Sequence, residues 1–303
     1  MPSPDPYAVV EEAAKQTYIR ALKLVPPDVK AALRRAADTE TSETGRDTLG
    51  IILQNIDIAE DNDMLVCQDT GTVVFWVQTG HDCALNLADV EAAVGRGTER
   101  ATIEHPLRPN AVHPVTRANT MTNTGRHLPA MHYEFPDEAE RARLGLAADG
   151  LRLTCLPKGS GSENMSFLKM FVPADGVAAV KRFVLECIVD AGPKPCPPTI
   201  VGVGLGGTAD LCAALAKRAL LRPLGTRNDD PVIAALEVEL EAAANELGIG
   251  PMGLGGRNTI LGLAIEHAHT HITQNPVAVN LQCWAARRSS ATMGADGAVE
   301  YGF

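Results

Sequence analysis

The sequence predicts a mixed α/β (α+β) fold, one large domain that is not a regular Rossmann fold. Three observations predict it. Capped, amphipathic helical segments and β-branched strand segments are both present. They are interspersed without a strict strand–helix–strand rhythm. A long proline- and glycine-studded stretch, residues 105–129, interrupts them in the middle of the chain. With 303 residues and 45% hydrophobic content the chain is long enough to bury a substantial core.

Taken in order, residues 7–36 read as two helices broken at Pro26-Pro27, within a helical N-terminal region of about residues 1–45. "MLVCQDTG" (64–71) reads as a short strand stopped by a polar turn, and "TVVFWVQTG" (72–80) as a second strand, because β-branched and aromatic residues fit a pleated surface. "LADVEAAVGRGTERATIE" has helical periodicity. Residues 105–129 read as irregular, and long loops of this kind often carry function. "LRLTCLP" (151–157) alternates as a strand. The segment from Asp175 to Gly192 is an amphipathic helix that Asp175 caps and Gly192-Pro193 end. "TIVGVGLGG" is a strand and turn followed by the helix "TADLCAALAKRALL". A helix opens at Asp230-Pro231 and leaves at Gly248. "NPVAVNLQCW" reads as a buried strand. No shift in composition marks a domain boundary, so one domain over 1–303 is expected.

Charge and composition narrow the function classes. A net charge of −10 argues against nucleic acid and anionic membrane surfaces as partners. No apolar run approaches the ~18 residues of a membrane span, and the charged N-terminal stretch lacks a signal-peptide core, so a cytoplasmic protein is expected. Seven cysteines at scattered spacings then read as thiols or ligands rather than disulfides.

Periodicity sorts those cysteines. Cys155 shares a strand face with Leu151 and Leu153, Cys187 lies on a helix stripe with Val177, Val180 and Val184, and Cys212 sits near Leu215 and Ala219; all three read as small buried hydrophobes. Nothing recommends Cys83. Cys67, Cys196 and Cys283 adjoin turns or strand ends, where functional groups concentrate. Cys283 also continues the face of Val277, Val279 and Leu281, which on periodicity alone is core.

Two rival constellations stand beside them. Gly202, Gly204 and Gly207 spell G-x-G-x-x-G after an apolar run, the dinucleotide-loop pattern of an NAD(P)-binding oxidoreductase. The expected acidic partner, Asp229, has no strand leading to it. "EHAHTHI" places His267, His269 and His271 at period two, a spacing that suits zinc on a strand or, equally, a polar loop between a helix and a strand. Arg108 in "HPLRPNAVHP" is a candidate for bidentate carboxylate binding, or a solvated surface arginine.

Six stretches, "CQDTGT", "LRPNAV", "KGSGSENMS", "CPPTIVGVGLGG", "GIGPMGLGG" and "THITQNPVAVNLQCWAARR", together resemble the class I iron–sulfur fumarases and their tartrate dehydratase relatives, in the family's order and over about residues 50–290. The resemblance is to the α subunit of the two-chain enzymes, or the N-terminal half of the fused ones. It implies one cluster-binding domain with a single [4Fe-4S] cluster held by Cys67, Cys196 and Cys283. It also implies substrate contacts at Gln68, Asp69, Arg108, Gly161 and His271, with Asp69 and His271 catalytic. Under it Cys196 is the ligand and the glycine run beside it a scaffold. Three thiolates leave one iron of the cube without a protein ligand, as Lewis-acid chemistry on a substrate hydroxyl requires. The expected partners are a small dicarboxylate and a separate β subunit carrying the remaining catalytic groups, in an α2β2 assembly. "KGSGSENMS" is fumarase-like, whereas "RANTMTNTGRHLPA" is longer than the fumarase pattern between Asn119 and Pro129, and "CWAARR" is tartrate-like. Hydration of fumarate to malate is therefore the first expectation, with L(+)-tartrate or a related hydroxy-diacid as the alternative.

Overall fold

The computed structural model describes residues 5–303; the first four residues of the expected helical N-terminal region lie outside the described residues. In chain order the elements are α1 (Pro6–Lys23), α2 (Pro27–Thr39), α3 (Glu43–Asp61), β1 (Thr72–Thr79), α4 (Leu87–Glu104), β2 (Ala130–Glu134), α5 (Glu138–Leu144), β3 (Leu151–Lys158), α6 (Ser160–Glu163), β4 (Ser166–Phe171), α7 (Gly176–Ala191), β5 (Thr199–Gly206), α8 (Ala209–Ala219), α9 (Pro231–Asn245), β6 (Ile260–Ala268), β7 (Asn275–Gln282), β8 (Ser289–Met293) and β9 (Val299–Gly302). This is a mixed α/β architecture without a doubly wound sheet. It divides into two compact units, each assembled from separated stretches of chain.

The first unit comprises the described part of Met1–Pro26 with Ala59–Lys158 and Arg287–Phe303. Its five-stranded sheet runs β2-β1-β3-β8-β9, with only the β1–β2 pair parallel. α1 starts as its sequence dictates: Asp5 accepts from the Tyr7 N–H at 3.1 Å and Pro6 takes the first turn, where no amide hydrogen is needed. The core joins Val10, Ala14, Tyr18 and Leu22 of α1 to Val73, Phe75 and Val77 of β1 and Leu151, Leu153 and Cys155 of β3. α1 and α4 cross closely because Gly97 has no side chain; a Cβ there would stand 2.4 Å from the Glu11 carbonyl oxygen. β3 is buried along nearly its whole length, so the alternation read from its sequence is not an inside–outside alternation.

The second unit comprises Pro27–Ile58 and Gly159–Ala286. Its four-stranded sheet runs β4-β7-β5-β6, with β5 and β6 parallel and the other pairs antiparallel. Val180, Val184, Cys187 and Ile188 of α7 and Leu240 and Ala244 of α9 cluster with Val201, Val203, Leu263, Ile265, Val277 and Val279 of the strands. α8 packs on β5 and β7, with Cys212 and Ala216 against Ala278. Asp230 caps α9 as expected, accepting from the Val232 N–H at 2.8 Å. Asp175 does not cap α7 in the usual way: its carboxylate turns back to the Val172 N–H at 2.9 Å, because a single 3-10 turn precedes the helix. Among the described residues no helix is long and apolar enough to cross a membrane.

Candidate functional site

The first unit gathers "CQDTG" and "LRPN". Residues 64–71 are not a strand, contrary to the sequence reading. The stretch is irregular, because its polar groups are spent on partners from other segments rather than on a ladder. The Val66 N–H donates to the Leu22 carbonyl at 3.0 Å, the Tyr18 hydroxyl donates to the Thr70 carbonyl at 3.1 Å, and the buried Arg287 guanidinium donates to the Asp69 carbonyl. Within the segment, Asp69 Oδ1 accepts from the Gly71 N–H at 2.9 Å. Gly71 has φ +72° and lies against β3, where a Cβ would be 2.7 Å from the Lys158 amide nitrogen, so only glycine fits this turn.

Thr70 then locks this segment to the one bearing Arg108. Its hydroxyl donates to the Arg108 carbonyl at 2.6 Å and accepts from Asn110 Nδ2 at 2.7 Å. Asn123 closes the ring, its Nδ2 donating to the same carbonyl at 3.1 Å and its Oδ1 accepting from the Asn110 N–H at 2.6 Å. Thr70 and Asn123 are buried, whereas Gln68 and the Arg108 side chain are exposed and Cys67 and Asp69 are half-buried. A rigid polar floor thus carries side chains open to solvent. Thr70, Asn110, Asn123 and Arg287 were not singled out from the sequence. The signal for three of them was their place inside or beside the motifs "CQDTGT", "LRPNAV" and "CWAARR".

The second unit gathers Gly161, Cys196 and Cys283. Cys196 follows the turn after α7, its N–H donating to the Pro193 carbonyl at 3.0 Å, with φ +56°. The Trp284 N–H, one residue beyond Cys283, donates to the Cys196 carbonyl at 3.1 Å. Gly161 approaches the same turn: a Cβ there would be 2.8 Å from the Lys194 carbonyl oxygen. His271 is elsewhere. β7 runs its eight residues between the loop bearing His271 and Cys283, a span of about 26 Å at ~3.3 Å per residue. The His271 loop is tied instead to the far end of β5, where Thr270 Oγ1 and Gln274 Nε2 donate to the Gly207 carbonyl at 3.1 and 3.0 Å. His271 is exposed, and its Nδ1 accepts from the Thr273 N–H at 3.2 Å. This unit does not bring His271 to Cys196 and Cys283.

The cysteines divide by environment, and none is in a disulfide. Burial raises the thiol pKa of Cys155, and pushes Cys187 up to about 12 and Cys212 up to about 11. Such thiols are held as neutral hydrophobes. Cys67, Cys196 and Cys283 are half-buried on irregular backbone; Cys83 is also half-buried but packs on the first unit's core. Each of the three is a soft sulfur donor of the kind that holds iron, and in the second unit Cys196 is tied through its carbonyl to the residue after Cys283.

Neither rival constellation forms a site. Gly202 and Gly204 lie inside β5, where a Cβ would stand 2.1 Å from the Ala216 carbonyl oxygen and 2.0 Å from that of Cys212. They admit α8 against the sheet and leave no room there for a pyrophosphate. His267 is on β6, not in a loop after a helix, and faces Asp230 at 3.8 Å, with His269 and His271 beyond the strand end. Among the described residues, no three His, Cys, Asp or Glu side chains are grouped to hold a metal ion.

The chain belongs to the fumarate hydratase family: the family model described as fumarate hydratase (Fumerase) matches residues 11–292. It is accordingly a hydro-lyase, and class I members of this family are generally iron–sulfur dependent. Among its relatives, a putative L(+)-tartrate dehydratase subunit alpha of Methanocaldococcus jannaschii is 43% identical over 281 residues, 92% of this chain and 96% of the relative. The L(+)-tartrate dehydratase subunit alpha of Escherichia coli O157:H7 is 36% identical over 272 residues, 90% of this chain and 86% of the relative. That of Escherichia coli strain K12 is 35% identical over the same length.

Proposed function

We propose that this chain is the α subunit of a hydro-lyase that interconverts a C4 hydroxy-dicarboxylate and its dehydrated partner, with one [4Fe-4S] cluster on Cys67, Cys196 and Cys283. The observation that carries the reading is the sorting of the thiols: the three cysteines of the family-like motifs are half-buried on irregular backbone, while Cys83 packs on the first unit's core and Cys155, Cys187 and Cys212 are buried in regular elements. A three-thiolate cluster supplies an iron corner able to act as a Lewis acid toward a departing hydroxyl.

The chain's own groups do the rest. Arg108 offers a planar guanidinium to one substrate carboxylate, its main chain held by Thr70 and Asn123 so that the fork keeps its direction. Gln68 and Asp69 contact substrate beside Cys67. The Gly71 N–H fixes the Asp69 carboxylate at Oδ1, and Arg287 fixes its main chain from beneath. Gly161 gives a close backbone approach. His271 is the remaining catalytic candidate; its Nδ1 accepts from the Thr273 N–H, and within the second unit it stands at the opposite end of β7 from Cys283.

The relatives' printed names favour L(+)-tartrate, and the family description favours fumarate and malate. The substrates differ by one hydroxyl, which a pocket able to hydrogen-bond it distinguishes strongly. The relatives are named as α subunits, and we infer a β subunit that supplies the remaining catalytic groups in an α2β2 assembly. Seven cysteines without a disulfide suit the reducing cytoplasm.

The test is anaerobic reconstitution with iron and sulfide, then turnover of L(+)-tartrate and of fumarate with the β subunit present. About four irons per chain are expected, with water-elimination or hydration activity, and both lost in Cys196→Ser. A Cys196→Ser enzyme with full iron and full activity would overturn the ligand assignment.

A further inference from the structure

We propose that Glu40 is a positioning residue for Cys196, acting through the glycine-rich turn at 249–258. The inference rests on the reading of Cys196 as a cluster ligand and lies wholly within the second unit.

Glu40 follows the last residue of α2 and is 4% exposed. Its carboxylate does more than finish a helix. Oε1 accepts from the N–H groups of Thr41 and Ser42 at 2.8 and 3.1 Å, and from that of Arg257, far along the chain, at 2.8 Å. Oε2 accepts from the Asn258 N–H and from its Nδ2, both at 2.9 Å. A buried carboxylate with five donors is a fixed point, since loss of the charge would strand those donors. Two glycines make room for it: a Cβ on Gly256, at φ +126°, would stand 2.5 Å from Oε1, and one on Gly45 would stand 2.8 Å from the Glu40 Cγ.

The turn that Glu40 anchors folds back on itself. The Gly255 N–H donates to the Ile249 carbonyl at 2.9 Å, and a Cβ on Gly250 would lie 2.2 Å from the Gly255 backbone. Its tip then bears on both sides of the cysteine. The Met252 N–H donates to the Pro197 carbonyl at 2.7 Å, and a Cβ on Gly253 would be 2.5 Å from the Pro193 side chain. Cys196 lies between those two prolines, in a left-handed conformation that a non-glycine residue keeps only when its surroundings impose it. The contacts are continuous from Glu40 through Arg257 and Asn258 to Met252 and Gly253, and from there to Pro193 and Pro197. Removing the anchor frees the turn, and with it the constraint that holds the Cys196 thiol in one direction.

The test compares the wild-type chain with Glu40→Gln and with the milder Asn258→Ala. Iodoacetamide alkylation of the iron-free protein is followed cysteine by cysteine by mass spectrometry, and iron uptake is measured after reconstitution. We expect the Cys196 alkylation rate to rise about tenfold in Glu40→Gln and less in Asn258→Ala. The rate at Cys67 should not change, Cys155, Cys187 and Cys212 should stay protected, and iron uptake should fall. A general loosening would accelerate all the cysteines together. Cys196 reactivity within twofold of wild type in both variants would overturn the proposal, as would equal acceleration at the buried thiols. Where Glu40→Gln fails to fold, Asn258→Ala decides on the same criteria. If the wild-type chain takes up no iron, the ligand reading fails, while the alkylation comparison still decides whether Glu40 controls Cys196.

Discussion

Substituting alanine for Gly204 tests what the glycine run is for. An added Cβ would lie 2.0 Å from the Cys212 carbonyl oxygen and 2.9 Å from the Ala216 amide nitrogen, both backbone atoms of α8 that no side-chain rotation can move. Reaching an ordinary contact of about 3.4 Å requires α8 to retreat from β5 by roughly 1.4 Å. That retreat breaks the Cys212 thiol's hydrogen bond to the Gly204 carbonyl, 3.2 Å in the native chain, and opens a gap under Cys212, Ala216 and Ala219, which are all buried. A gap of 0.5–1 Å already forfeits a quarter to a half of each dispersion contact, so the overpacking cost reaches about 3 kcal/mol. Urea unfolding should show that loss. Gly95→Ala in α4, where an added Cβ meets nothing within 4 Å, serves as the control and should gain about 0.5–1 kcal/mol. A Gly204→Ala protein within 0.5 kcal/mol of wild type would refute the reasoning. If NADH bound the wild-type chain and Gly204→Ala abolished only that binding, the dinucleotide reading would return.

Two further outcomes follow from the same geometry. Burial pushes the Glu40 carboxyl up, but its hydrogen bonds from Asn258, Arg257 and Ser42 outweigh burial and hold it down to about 2, against 4.5 in the unfolded chain. The folded value is the lower one, so this stabilisation is fully present above pH 4.5 and is lost as pH falls toward 2. The stability gap between wild type and Glu40→Gln, about 2–3 kcal/mol at pH 6, should narrow progressively in unfolding curves taken from pH 4.5 downward; a constant gap over that range contradicts the assignment. His271→Ala tests the role proposed for His271: loss of a general acid or base should lower turnover of the reconstituted two-subunit enzyme roughly 10²–10⁴-fold. Turnover within about threefold of wild type would remove His271 from the catalytic set.

Much of the fold was legible because its signals are local. Asp230 and Pro231 start a helix where such residues must, and the β-branched run 72–79 is the strand β1. The sequence reading leaves five strands unassigned. Ala130–Glu134, Ser166–Phe171 and Val299–Gly302 are short and only partly buried, so neither alternation nor a continuous apolar run announces them, whereas Ile260–Ala268 and Ser289–Met293 are largely buried. Residues 64–71 misled in the opposite direction. Met64, Leu65 and Val66 look like a strand, but Val66 is tied to Leu22 and Thr70 to Arg108, long-range pairings that no window of sequence contains. The two compact units are likewise not marked in the sequence. Each unit is assembled from separated stretches, so no compositional change accompanies the crossings.

Cys283 shows how a periodic argument ends. Val277, Val279 and Leu281 are buried on one face of β7, and extending their period of two makes Cys283 the next core residue. The extension holds only while the ladder continues. β7 stops pairing at Gln282, opposite Ile200, and β5 begins at Thr199. One residue further the backbone turns, and the Trp284 N–H finds the Cys196 carbonyl instead of a neighbouring strand. The chain just beyond Cys283 is thereby tied to the turn that bears Cys196. A candidate ligand at a strand end gains the strand's rigidity without its burial: three buried residues fix where the chain arrives, and the first position beyond the ladder is half-buried. The same logic separates it from Cys155, which shares an unbroken strand face with Leu151 and Leu153 and is fully buried. Position relative to the last ladder pair, rather than hydrophobic period, distinguishes the two thiols.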